Sequence, residues 1–143
     1  MPFLFLVLAL VPILGFCSEE GGAIFNDHCM ACHQAGGVGA SGLAPPLANP
    51  ELWKNLGEHA QHYLYNIINA GMSGSLVSAG ESYDGLIMPP RPELDETQIE
   101  ALAHYILGDL NGLPCHVDHM AIKAARAHPL SHRSLMEMRN HAH

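Results

Sequence analysis

The sequence predicts an all-α domain, three to five short helices joined by long loops. Three observations carry this. Apolar residues recur at helical spacing in separate segments. No stretch alternates apolar and polar residues for long enough to read as a strand, and Gly- and Pro-rich runs separate the helical segments. Finally, Cys29-Met30-Ala31-Cys32-His33 places two cysteines three apart with a histidine directly after them, the attachment signature of a c-type haem. Loops of such length count against an ordinary small domain. Around a covalently held haem they are expected, because the apolar disc supplies the core that the loops wrap. The signature occurs once, so one haem is expected for the 143 residues.

Each thiol of the signature can add across one porphyrin vinyl group, and the imidazole of His33 then reaches the iron from one face. Two other uses of such cysteines fit the flanks poorly. A thioredoxin-like pair follows a buried strand, whereas Ala23-Ile24-Phe25-Asn26-Asp27-His28 contains no β-branched run. A structural zinc needs four tetrahedral ligands, and only Cys115, His116 and His119 offer a second half.

The first helix is expected over about residues 19–32, with Ile24, Phe25 and Cys29 on related faces and Gly21-Gly22 weakening its first turn. Residues 36–47 are too rich in Gly and Pro for regular structure. A short helix over 51–56 follows. Residues 58–70 give a stronger helix, with Leu64, Ile67 and Ile68 on one face and Gly71 just past the end. Residues 71–92 read as loop. Asp95 opens the best-marked helix, since Gln98 three positions later completes a capping box. Ile99, Leu102, Ala103 and Ile106 form its apolar stripe, and Gly108 and Gly112 end it.

The segment Phe3-Leu4-Phe5-Leu6-Val7-Leu8-Ala9-Leu10-Val11 is apolar but short of the roughly 20 residues that span a bilayer. With Pro12 near its end and small residues at Gly15, Cys17 and Ser18, residues 1–18 read as a secretory signal peptide, although no Lys or Arg precedes the apolar run. Membrane association would then need that segment to stay uncleaved. Lipidation at Cys17 is disfavoured by the bulky Phe16. Between Glu19 and Met120 thirteen acids face only Lys54 and Arg91, a net of −11. A nucleic-acid partner is excluded for such a surface, and a protein partner with a basic docking patch is favoured.

A six-coordinate carrier pairs histidine with a second ligand, often methionine. Met30 lies within the signature and cannot fold back over the opposite face. Met88 sits in Asp84-Gly85-Leu86-Ile87-Met88-Pro89-Pro90, where the prolines stiffen the backbone after it, and Met72 competes with it. Taken together, the attachment helix, the stretch ending Ala44-Pro45-Pro46-Leu47, the loop Tyr83-Asp84-Gly85-Leu86-Ile87-Met88-Pro89-Pro90 and the helix beginning Leu94-Asp95-Glu96-Thr97-Gln98-Ile99 resemble a small class I cytochrome c of bacterial type. The resemblance covers about residues 19–110. It implies the cytochrome c fold, haem c bound through Cys29 and Cys32, His33 as proximal ligand and Met88 as distal ligand. It also implies that the Pro45 carbonyl accepts the His33 ring N–H, which orients the imidazole. Residues 71–89 further resemble cytochrome subunits serving periplasmic dehydrogenases or reductases. The expected role is electron transfer in the periplasm, as a carrier or a subunit and not as an enzyme, to an oxidase, reductase or dehydrogenase. A ligand-exchanging haem sensor is the alternative if Met88 does not ligate. Trp53, Tyr63 and Tyr83 either meet a haem propionate or fill core.

The chain thus divides into a signal peptide (1–18), a cytochrome c domain (19–113) and a His-rich tail (114–143). The tail departs from the family. Six of the 11 histidines fall within its last 28 residues. It reads as a frayed or helical appendage of mixed polarity. The sharper alternatives are a copper or zinc site on Cys115, His116 and His119, or a staple from Cys115 to a partner.

Overall fold

A computed structural model describes residues 16–142. Most of the expected export signal, through residue 15, lies outside the described residues.

The first helix, α1 (Phe16–His28), leads directly into a single turn, α2 (Met30–His33), that carries the second half of the signature. α3 (Pro50–Leu56) starts with the Asn49 side chain accepting from the Leu52 N–H, and Pro50 sits at the first turn where its missing N–H costs nothing. α4 (Ala60–Ala70) buries Tyr63, Leu64 and Ile68 and ends at Gly71, as its periodicity requires. α5 (Glu96–Ala103) opens with the expected capping box, both bonds at 2.9 Å. Ile99, Leu102, Ala103 and Ile106 are all buried. Beyond Ala103 the helix widens into a π-helical turn over His104–Asp109, where the Leu110 N–H bonds to the Tyr105 carbonyl at 2.9 Å.

α1 packs across α5 and its π-helical extension. Gly21, expected only to weaken a helix, is the crossing point: a Cβ there would collide with the Ala101 carbonyl. The helices can approach this closely because the side chain is absent, and one turn further on Phe25 and Tyr105 meet with ring centroids 5.3 Å apart.

Two features correct the expected architecture. The fold is mostly helical but not all-α, and it has more helices than the three to five expected. Residues 71–92, expected as loop, hold an antiparallel hairpin of β1 (Met72–Ser78) and β2 (Glu81–Met88). Its two-residue turn, Ala79-Gly80, has both φ values positive, the geometry that matches strand twist. The alternation is blurred because the register slips between Gly74 and Leu76 and because glycines occupy positions 74 and 85.

The tail is likewise built into the body. α6 (His119–Ala127) packs on α4 and α5, and α7 (His132–Asn140) packs on α4 and α3. Each has a side-chain cap, from Asp118 and Ser131 respectively. Ile122 and Leu135 are fully buried. Buried Asn66 on α4 accepts from the Leu130 N–H at 2.8 Å, tying the connection between the two helices to the core. Leu135→Ala is therefore expected to cost about 2–5 kcal/mol in a denaturant titration, whereas a loose appendage would lose almost nothing.

Candidate haem site

α2, the 36–47 loop, α3, α4, the hairpin and α5 surround one cavity of about 1060 Å³, its open mouth included. Its walls are predominantly apolar, and Leu52, Leu64, Ile68, Leu102 and Ile106 belong both to them and to the buried core. Cys29, Cys32, His33, Pro45 and Met88 all line it. Met72 lines it too, and in the hairpin register Met72 and Met88 face each other directly across the strands. Directly opposed residues project from the same face of a sheet, so both thioethers stand on one wall.

His33 is buried, and its Nδ1 lies 2.8 Å from the Pro45 carbonyl oxygen. A carbonyl can only accept, so Nδ1 carries the proton and Nε2 keeps its lone pair. Burial pushes the His33 pKa below its ordinary value, more than the Pro45 bond raises it, and the nearby Arg91 lowers it further. The ring is therefore neutral at pH 7, the form that ligates a metal. Burial pushes the Cys29 thiol up to about 11, and neither signature cysteine is tied up in a disulfide.

The loop that meets His33 is held by Trp53 and by Asn111, the second of which the sequence did not single out. The Leu47 carbonyl accepts from Trp53 Nε1 at 2.7 Å and from Asn111 Nδ2 at 2.8 Å. Asn111 also donates to the Ile106 carbonyl at 2.7 Å, across the π-helical turn. This clamp fixes the chain two residues after Pro45. The Met88 segment is held from the other side. Gly71 (φ +70°) lies against the Met88 carbonyl so closely that a Cβ would collide with it, and the Arg91 N–H bonds to the Ile68 carbonyl at 2.8 Å. The end of α4 thus anchors both arms of the hairpin's base.

The remaining expectations sort by contact. Trp53 and Tyr63 are buried in the cavity wall with ring centroids 6.2 Å apart, and Tyr83 donates to Glu81 at 3.1 Å. His28 lies 3.4 Å from Glu93 and His119 lies 3.3 Å from Glu100. Among the described residues no group of three or more histidine, cysteine or acidic side chains could hold a metal ion, so Cys115, His116 and His119 do not converge. Burial, with Glu100 adding to it, pushes the Cys115 thiol up to about 11. No helix among the described residues is long and apolar enough to cross a membrane.

These residues fit a c-type haem: two cysteines outside any disulfide beside a neutral, oriented imidazole on one side of an apolar cavity, and thioethers on another wall. Comparison with known proteins agrees. The family model for cytochrome c matches residues 18–108. The chain belongs to the cytochrome c family, whose members carry covalently bound haem c and transfer electrons. It is 29% identical over 89 residues to a cytochrome c-552 of Thermus thermophilus, a match covering 62% of this chain and 60% of that one. It is 35% identical over 102 residues to the cbb3-type cytochrome c oxidase subunit CcoP of Azospirillum, covering 70% of this chain and 33% of that subunit. The cbb3-type subunit FixP of Bradyrhizobium is 27% identical over 118 residues, 80% of this chain and 37% of that subunit. The chain therefore spans about 60% of the Thermus protein it matches and only 33% and 37% of the two oxidase subunits.

Proposed function

We propose that the protein is a periplasmic electron carrier, or the electron-transfer subunit of an oxidoreductase complex, holding one haem c through Cys29 and Cys32 with His33 and Met88 as axial ligands. The observation that carries this reading is the convergence of those four side chains on one apolar cavity, with the His33 ring fixed by Pro45. Haem iron bound there supplies a reversible one-electron couple between its ferrous and ferric states.

The chain's own residues do the rest. Pro45 holds the proton on His33 Nδ1 and leaves Nε2 to ligate, raising its basicity. The Leu47 clamp and the Gly71 contact fix the two ligand-bearing segments, so that neither need move when the charge at the centre changes. Apolar walls exclude water and lower the local dielectric. Held by both His33 and Met88, haem iron would offer no open position to a substrate. The likeness to cbb3-type oxidase subunits supports an oxidase as a class of partner. The export signal read in residues 1–18 supports the periplasm.

The acidic surface favours a partner with a basic patch. The second-order rate of electron exchange with that partner is expected to fall steeply as salt rises, since exposed charges are screened beyond about 8 Å at physiological ionic strength. Charge reversal at Glu93, Glu96 or Glu100 should slow it further. A rate independent of salt would mean that contact is made through apolar surface alone. The electron-carrier reading itself is tested by a redox titration: a single reversible one-electron transition, with the weak sulfur–iron band in the ferric spectrum, is expected.

A further inference from the structure

We propose that Arg139, on the C-terminal helix α7, is the counter-ion for a haem propionate, so that the tail closes the propionate side of the cavity. This rests on the haem reading above and deepens it. Arg139 is only 4% exposed and lines the cavity. Its Nη1 donates to the Tyr63 hydroxyl at a long 3.4 Å, while Nε and Nη2 are buried without any partner. Those two atoms form one edge of the guanidinium, the fork that fits a carboxylate with two parallel bonds. Among the described residues no carboxylate lies within ion-pair distance of it. A guanidinium cannot shed its proton to relieve burial, and a buried charge is tolerated only when paired.

The chemistry of the cofactor selects its partner. Haem carries its two vinyl groups on one half of the ring and its two propionates on the other. Cys29 and Cys32 take the vinyl half, against α1 and α2. Arg139 belongs to a different wall, since α7 packs on α3 and α4 and Arg139 meets Tyr63 there. The other cation of the cavity, Arg91, stands near Cys29 and His33 and lies 3.7 Å from Glu93. It is thus on the attachment side and already has a carboxylate. Arg139 is left as the cation whose bonding edge needs an anion where a propionate would lie.

The test compares holo-protein carrying Arg139→Gln and Arg139→Lys, each first checked for covalent haem and the sulfur–iron band. Removing a positive charge from a buried wall stabilises the ferric state. Arg139→Gln is therefore expected to lower the ferrous-to-ferric ratio at fixed potential on the order of tenfold, a downward midpoint shift of about 59 mV for one electron. Arg139→Lys should restore most of it. An unchanged midpoint in the Gln variant, with haem and ligands intact, would overturn the assignment. Should the Gln variant not fold, a crystal structure of the wild-type holo-protein decides. Propionate oxygens within about 3.2 Å of Arg139 Nε and Nη2 are expected, and two propionates bonded elsewhere would refute it. A chain with no covalent haem would instead overturn the reading beneath it, and this inference with it.

Discussion

Replacing Cys29 and Cys32 together by alanine is expected to give a chain without covalent haem and largely without a fold. The cavity they border is not a recess in a finished core but the middle of it. Leu52, Trp53, Tyr63, Leu64, Leu102 and Ile106 are buried residues that turn toward it. Filling such walls with a large apolar disc contributes about 25 cal/mol for each Å² removed from water, against a total stability of only about 5–15 kcal/mol for an ordinary domain. Losing the disc therefore removes a term comparable with the whole. Either single Cys→Ala variant should keep at most one thioether bond and be mostly unfolded. Haem staining on a denaturing gel and far-ultraviolet circular dichroism read the two effects. A well-folded, haem-free double variant would show that the chain does not depend on haem.

The second large effect is expected at Met88. Met88→Ala should open the distal face, so that added carbon monoxide or imidazole binds readily, the sulfur–iron band is lost and the potential falls, because a thioether favours ferrous iron. Met72→Ala should do none of these. The contrast is demanding because the two residues oppose each other across the hairpin and line the same cavity. Met88 is the better held of the two, with Pro89-Pro90 after it and its carbonyl pressed against Gly71. Met72 is the more deeply buried and is expected to fill space beside the ring, a role methionine performs well. If the Met72 variant binds carbon monoxide while the Met88 variant stays six-coordinate, the two roles are exchanged.

The parts of this fold that were legible in the sequence are those with strong local chemistry. The Cys29–His33 signature, the Asp95–Gln98 capping box and the 3.6-residue stripe through Ile99 and Ile106 depend only on neighbours in the chain. The hairpin was not legible, because its turn uses Ala79-Gly80 in place of the usual Asn-Gly and its period is broken by a bulge and two glycines. The tail was obscured by its many charged and histidine side chains. Its caps at Asp118 and Ser131 were readable signals, and Ile122 with Ala125 marks a narrow apolar stripe. Gly21, Asn111 and Arg139 act through contacts 64 to 80 positions away, from Gly21 to Ala101, Asn111 to Leu47 and Arg139 to Tyr63. Arg139 falls four residues after buried Leu135, on the same helix face, whereas exposed Arg133 falls two before it, a difference that shows only once the segment is taken as helical.

One haem held covalently by this chain is what every step above depends on. The intact mass of the purified protein, measured after denaturation and acid–acetone extraction, tests it most directly. The expected mass is that of the chain plus one haem, unchanged by extraction. A mass equal to the chain alone, or haem released into the solvent, would contradict it.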